Sequence, residues 1–397
     1  MSGSVDFNSQ NHFVYYILNL PKVIRRSFLR LWKQLFLIIF IFFFFILFYS
    51  TLKQKKLRDM KRTISMEIEH EEVLLKYINV SVENCLQEKT RNEQNKAFQM
   101  LKSYLPVKPI KMTQITAVFL YSGKKIPLVI KRVVLRKDSP SFEDIVSMRL
   151  KHPNVLQTYH TFKTSFINSK DEKQDILWLI SEFLTEKVTQ KMVSRDEELI
   201  KIIITDVLNG LNYMHKQNIA HLDMKIANVM GEQSGTKISY KLIDFGYSRD
   251  LNKEPNLHSK NEVVIPHKSY GTFPYKPPEV VFENAHGLKA DIWCVGAISW
   301  FLSLGKTPFY TEDGDKNIEE YKKFVSGKTK HFFKGEISPE LEDFILRAMN
   351  PNRHHRPTAD QLLKHAFITG ETLNDVRSDS YSNDSGYESF SDSYDSQ

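Results

Sequence analysis

Residues 221–228 read His-Leu-Asp-Met-Lys-Ile-Ala-Asn, and Asp244-Phe245-Gly246 begins sixteen positions after Asn228. Each stretch follows a strand-like apolar run, which places both on short loops that leave strands and turn polar side chains toward a cleft. Asp223, Lys225, Asn228 and Asp244 can then converge on one ligand. This demand constrains the fold more than composition does. A lone Asp-Phe-Gly would carry no weight; order and spacing carry the specificity.

The order continues downstream with Gly271-Thr272-Phe273-Pro274-Tyr275-Lys276-Pro277-Pro278-Glu279, then Asp291-Ile292-Trp293-Cys294-Val295-Gly296, then Arg356-Pro357-Thr358. Together these stretches resemble the eukaryotic protein kinase family from about Leu105 to Phe367, with proline replacing alanine at Pro277. The resemblance implies an α+β, two-lobed protein kinase fold, with a small, mainly antiparallel β lobe and a larger helical lobe. It also implies ATP and Mg²⁺ as cofactors and protein substrates as partners. On that footing Asp223 orients the attacking hydroxyl, Lys225 stabilises the transferring phosphoryl group, and Asn228 with Asp244 holds Mg²⁺. Arg356 would pair with Glu279, and Asp291 would brace the catalytic-loop backbone.

Lys225 and Thr272 follow the serine/threonine pattern, and the loop is most similar to those of myosin light-chain and death-associated kinases. Leu222 stands where most of the family carries an arginine that receives an activation-segment phosphate. Leucine donates nothing to an anion, so phosphorylation at Ser259, Ser269, Tyr270 or Thr272 is expected to be dispensable.

The amino-terminal half of the resemblance departs from the family pattern. No glycine occurs from residue 4 through residue 122, where a GxGxxG loop would lie near residues 109–120. Glycines matter there because backbone N–H groups reach phosphates only where no Cβ intervenes. Leu128-Val129-Ile130-Lys131 nevertheless resembles the family's VAIK strand, and Lys131 would contact the α- and β-phosphates. Its acidic partner is expected on the next helix: Glu143 by family spacing from Pro153, with Asp144 as the neighbouring alternative. The apolar run 176–184 resembles the strand leading to the hinge, placing Ser181 at the gatekeeper position beside Glu182. Val129 and Met230 would sandwich the adenine.

Outside this region, residues 34–52 form a run of nineteen without a formal charge, about 28 Å as a helix and close to a bilayer's hydrocarbon thickness. The expected layout is a basic segment 1–33, a transmembrane helix 34–52, a juxtamembrane helical segment 53–104, an amino lobe 105–184, a carboxy lobe 185–368 and an acidic, serine-rich tail 369–397. This layout predicts a single-pass membrane protein with basic flanks on membrane lipid; the flanking charges are balanced and set no orientation, and cytosolic Mg-ATP implies a kinase-like part facing the cytosol. A glycan at the Asn79 sequon would reverse that orientation. The tail is too polar to order itself, and its Asp384-Ser385-Gly386-Tyr387-Glu388-Ser389 matches a phosphodegron read by a ubiquitin ligase once Ser385 and Ser389 are phosphorylated.

Leu199, Ile202, Ile203, Val207, Leu211 and Met214 recur at helical spacing and predict a buried lobe helix interrupted only by Gly210. The His354-His355 pair reads as a solvated basic turn. Two cysteines offer no disulfide framework and fit a reducing compartment. The formal charge of +8 is concentrated around the apolar run, without the aromatic-basic interleaving of RNA binders, so no nucleic-acid partner is expected.

Overall fold

The computed structural model describes residues 107–371 except 114, 123–126, 137–140, 168–170, 190–195, 254–256, 260–261, 265–269, 311–315, 329–332 and 334, all within one compact unit, 74–397. Five strands open the described chain: β1 (Val107–Met112), β2 (Thr116–Ser122), β3 (Pro127–Leu135), β4 (Thr158–Ile167) and β5 (Lys173–Glu182). They form one antiparallel sheet in the order β1-β2-β3-β5-β4. In β3, Leu128 and Ile130 are buried while Val129 and Lys131 on the alternate face are partly open, the period-2 pattern of a strand packed on one side. Helix α1 (Glu143–Arg149) lies between β3 and β4 in sequence.

The helical part is organised around α2 (Glu197–His215), whose Asp196 side chain caps the N-terminus by accepting from the N–H groups of Glu198 and Leu199 at 3.1 Å each. Ile200, Ile203, Ile204, Val207, Leu208, Leu211 and Met214 make its buried stripe. Ile202, expected in that stripe, is instead 50% exposed, because one residue before Ile203 is a turn of about 100° away from the core. Gly210 belongs where it is: a Cβ there would stand 2.6 Å from the Asn154 carbonyl oxygen.

After α2 come β7 (Ile219–Ala220), β8 (Val229–Ser234) and β9 (Lys237–Leu242), with β6 (Glu186–Lys187) pairing on β8. Then follow β10 (Arg249–Asp250), β11 (Leu257–Ser259), β12 (Glu262–Val264), α3 (Pro278–Glu283), β13 (Ala285–Gly287) and α4 (Leu288–Leu304). Helices α5 (Ile318–Val325), α6 (Pro339–Ala348), α7 (Ala359–Leu362) and α8 (Ala366–Thr369) complete the lobe.

Two buried ionic ties organise this lobe. Arg356 grips Glu279 through two bonds of 2.7 and 3.1 Å, both side chains being almost fully buried. Asp291, at the start of α4, accepts from the backbone N–H groups of His221 and Leu222 at 2.8 and 2.9 Å.

The expected membrane anchoring is not upheld. Among the described residues no helix is long and apolar enough to cross a membrane: α4 is apolar but only 17 residues long, and α2 has 19 residues but carries Glu197, Glu198, Lys201 and Asp206. The run 34–52, the segment 53–104, Asn79, and the tail serines Ser385 and Ser389 lie outside the described residues.

Gly296 on α4 marks the tightest helix contact, since a Cβ there would meet Met349 Cγ at 2.5 Å and Ala348 Cβ at 3.0 Å. Gly296→Ala should therefore destabilise the fold by a net ~1–2 kcal/mol, over-packing outweighing a helix-propensity gain of about 1 kcal/mol. Urea unfolding checks this; a neutral or stabilised variant contradicts the packing.

Candidate active site

Two paired strands bring the loops together. Val229 on β8 lies opposite Leu242 on β9, and the Ile243 N–H donates to the Asn228 carbonyl at 3.0 Å. Asn228 and Asp244, distant in sequence, thus sit at neighbouring positions of one ladder. His221 fixes the same junction: its Nδ1 accepts from the Asp223 N–H at 3.3 Å, which leaves Nε2 as the donor to the Ile243 carbonyl at 3.1 Å. Leu222 takes a left-handed φ of +63°, and the two N–H bonds to Asp291 hold that turn in place.

Asp223 is nearly buried and its carboxylate is shared. Lys225 Nζ donates to Oδ2 at 2.7 Å and to Thr272 Oγ1 at 3.1 Å, and the Thr272 hydroxyl donates to Asp223 Oδ1 at 3.2 Å. Asn228 Nδ2 donates to the Asp223 carbonyl at 2.7 Å and to Oδ2 at 3.1 Å, which turns the amide oxygen away from Asp223. Gly271, at φ +89°, makes the turn that delivers Thr272, a backbone conformation that residues with a Cβ rarely adopt. A shallow pocket, open to solvent, borders Asp223, Thr272, Tyr270 and Lys276.

Across from this loop, Lys131 reaches Glu143 Oε1 at 2.5 Å and Asp244 Oδ1 at 2.7 Å. Burial alone would lower the Lys131 pKa, but the two carboxylates together outweigh it and hold the amine protonated. Burial pushes the Glu143 carboxyl up, against the pull of Lys131. Burial also works against ionisation of Asp244, yet Lys131, the field of His221 and the Gly246 N–H hold its pKa down at about 2. The structure places Glu143, not Asp144, on Lys131; Asp144 pairs with Lys163 on β4 at 2.8 Å.

The protein kinase domain family matches residues 117–368. The chain belongs to that family. It is 27% identical over 270 residues to the calcium/calmodulin-dependent protein kinase cmkA of Emericella nidulans, covering 64% of this chain and 58% of the relative. It is 32% identical over 254 residues to the probable serine/threonine-protein kinase mkcD of Dictyostelium discoideum, covering 62% and 34%. A serine/threonine-protein kinase PLK4 from Drosophila virilis is 28% identical over 229 residues, covering 56% and 26%. The chain thus spans less than two thirds of the length of each of these relatives.

Within the kinase domain, Val129 pairs in register with Ser181, and Met230 lies half-buried on β8 opposite Lys241 and Lys187. Glu182 differs from the simplest expectation. Its carboxylate accepts from Lys241 Nζ and from the Gln157 N–H at 2.7 Å each, and its own N–H donates to the Gln157 carbonyl at 3.1 Å, so the side chain is committed within the protein. Lys241 also pairs with Glu232 at 2.7 Å. No motif announced this tie, because Lys241 and Glu182 are 59 positions apart.

The kinase hairpin between β1 and β2 closes on itself. Thr113 N–H donates to the Thr116 carbonyl at 2.8 Å, and the Thr113 hydroxyl both donates to that carbonyl at 3.0 Å and accepts from the Thr116 N–H at 2.9 Å. A backbone donor that a glycine loop would offer to phosphate is consumed internally. Thr113→Ala should therefore tighten binding of Mg-ATP, by about fivefold for one released hydrogen bond of ~1 kcal/mol, while Thr113→Ser leaves it unchanged. Calorimetric titration checks this; weaker binding by Thr113→Ala contradicts it.

Ser181 is 6% exposed and lies in register with Val129, and it is one of the smallest side chains that could stand there. Purine inhibitors carrying a bulky aromatic group should bind, and Ser181→Met should weaken them roughly tenfold or more, since over-filling a packed site costs ~1–3 kcal/mol. Equal potency against both forms rejects the placement of Ser181 beside the purine site.

Proposed function

We propose that the chain is a serine/threonine protein kinase that transfers the γ-phosphate of ATP to protein hydroxyls. Asp223 orients the acceptor hydroxyl, and Lys225, already bonded to Asp223, stabilises charge on the phosphoryl group in flight. Lys131, held by Glu143, positions the nucleotide phosphates, and Val129 and Met230 flank the base, with Glu182 contributing through its backbone.

The donor set fits Mg²⁺. Asp244 is ionised at neutral pH with its side chain 40% exposed, and the Asn228 amide oxygen is turned from Asp223, giving the hard oxygen ligands this ion prefers. Among the described residues no cluster of three or more His, Cys, Asp or Glu stands ready to hold a metal, so Asn228 and Asp244 would hold the ion together with the nucleotide it accompanies. Bound there, Mg²⁺ neutralises phosphate charge.

The observation that carries this reading is Lys131 lying within bonding distance of both Glu143 and Asp244 while Asp223 and Asn228 share one loop. The end of β5 at Glu182 supports a lobe boundary between residues 184 and 185. A second reading, a catalytically weak pseudokinase acting as a scaffold, draws support from the self-closed Thr113 hairpin. The tail motif supports recognition of phosphorylated Ser385 and Ser389 by a ubiquitin ligase, on sequence grounds.

Transfer of labelled γ-phosphate to a serine/threonine peptide library separates the two main readings. Asp223→Asn should lower kcat by ~10²–10⁴-fold with nucleotide binding intact, the range for losing a positioned proton acceptor. Nucleotide binding without transfer in the wild-type chain would instead establish the scaffold.

A further inference from the structure

The helix that carries Glu143 is gripped at both ends by two consecutive residues. Strand β10 is only Arg249 and Asp250, fixed by pairing with Ala220 and Ile219 just ahead of the catalytic loop. The Arg249 guanidinium lies over the Phe142 ring at 5.1 Å, at the N-terminal cap of α1. The Asp250 carboxylate pairs with Arg149, in the last turn of α1, at 2.6 Å. Ser248, immediately before, donates to the His221 carbonyl at 3.2 Å and ties the dipeptide to the loop that holds Asp223.

Arg249 has a second aromatic neighbour. Its guanidinium lies 5.2 Å from the Tyr270 ring and donates to the Tyr270 hydroxyl at 3.1 Å. Tyr270 is packed in turn against Tyr247 and His286, with ring centroids 4.9 and 5.4 Å apart, and it directly precedes Gly271 and Thr272. Leu222 packs with Ala220 and Leu251, so it brings no cation to this region. A planar cation between two rings binds by shape and orientation, which lysine cannot reproduce.

We propose that Arg249 and Asp250 are positioning residues: together with Phe142, Tyr270 and Arg149 they form a latch that sets the orientation of α1, and so of Glu143 against Lys131, from the segment presenting Thr272. This rests on the kinase reading for its effect on rate, but the contact itself is testable without catalysis. The Phe142 end of the latch lies at the surface, so Phe142→Ala removes one contact with little risk to folding.

The test measures, on the full chain, amide hydrogen exchange in 143–149 and steady-state kinetics for wild type, Arg249→Lys, Phe142→Ala and Asp250→Asn. Exchange across α1 should rise about tenfold in each variant while α2 stays protected, the loss expected for a partly desolvated cation–π or ion-pair contact. In Arg249→Lys and Phe142→Ala, kcat should fall about tenfold with KM for ATP nearly unchanged, since Glu143 orientation and not nucleotide contact is lost. Unchanged α1 exchange in both Arg249→Lys and Phe142→Ala overturns the latch. If wild type transfers no phosphate but α1 loosens as described, the latch stands and the kinase reading fails.

Discussion

One lysine shared by two carboxylates holds the site together. Lys131 sits on β3, Glu143 on α1 and Asp244 on the loop after β9, so the cluster joins the sheet, its helix and the helical lobe at one point. A lysine and a glutamate this deeply buried are costly apart: removing one partner of such a pair typically costs ~3–5 kcal/mol, whereas the intact pair roughly breaks even. The interaction therefore fixes geometry more than it adds stability. It also keeps Asp244 ionised at a position that solvent reaches only in part.

The catalytic loop is held in a conformation it would not adopt alone. Leu222 at φ +63° carries strain of about 1–2 kcal/mol for a residue with a Cβ. Two backbone N–H bonds to the Asp291 carboxylate, each worth roughly 1.5–3 kcal/mol as bonds to a charged group, exceed that cost. Arg356 and Glu279 brace the end of the activation segment in a similar way, through a bidentate pair shut off from solvent. The lobe thus commits buried charge to positioning a small number of side chains.

The catalytic loop, the Asp-Phe-Gly turn and the lysine strand were legible in sequence because the chemistry demands particular residue types at short, fixed spacing. Family spacing favours Glu143 over Asp144, but the reason lies in the fold, since adjacent helix residues differ by about 100° and the approach of β3 and β4 decides which meets Lys131 and which meets Lys163. Glu182 was placed on the hinge, but its carboxylate is taken by Lys241, a contact that exists only after β5 and β9 are brought together. The absence of glycine near residue 113 is plain in the sequence; that the Thr113 hydroxyl closes the hairpin on itself is not. No local pattern marks Arg249 either, because its two aromatic neighbours are 107 and 21 positions away.

The central claim is that Lys131 and Asp244 meet on one nucleotide, and a double-mutant cycle in binding addresses it directly. Calorimetric affinities for Mg-ATP would be measured for wild type, Lys131→Met, Asp244→Asn and the double variant. Groups that act on one ligand as a unit should be strongly non-additive, so the double variant should bind about as weakly as the worse single one. Losses that multiply independently would contradict a shared site.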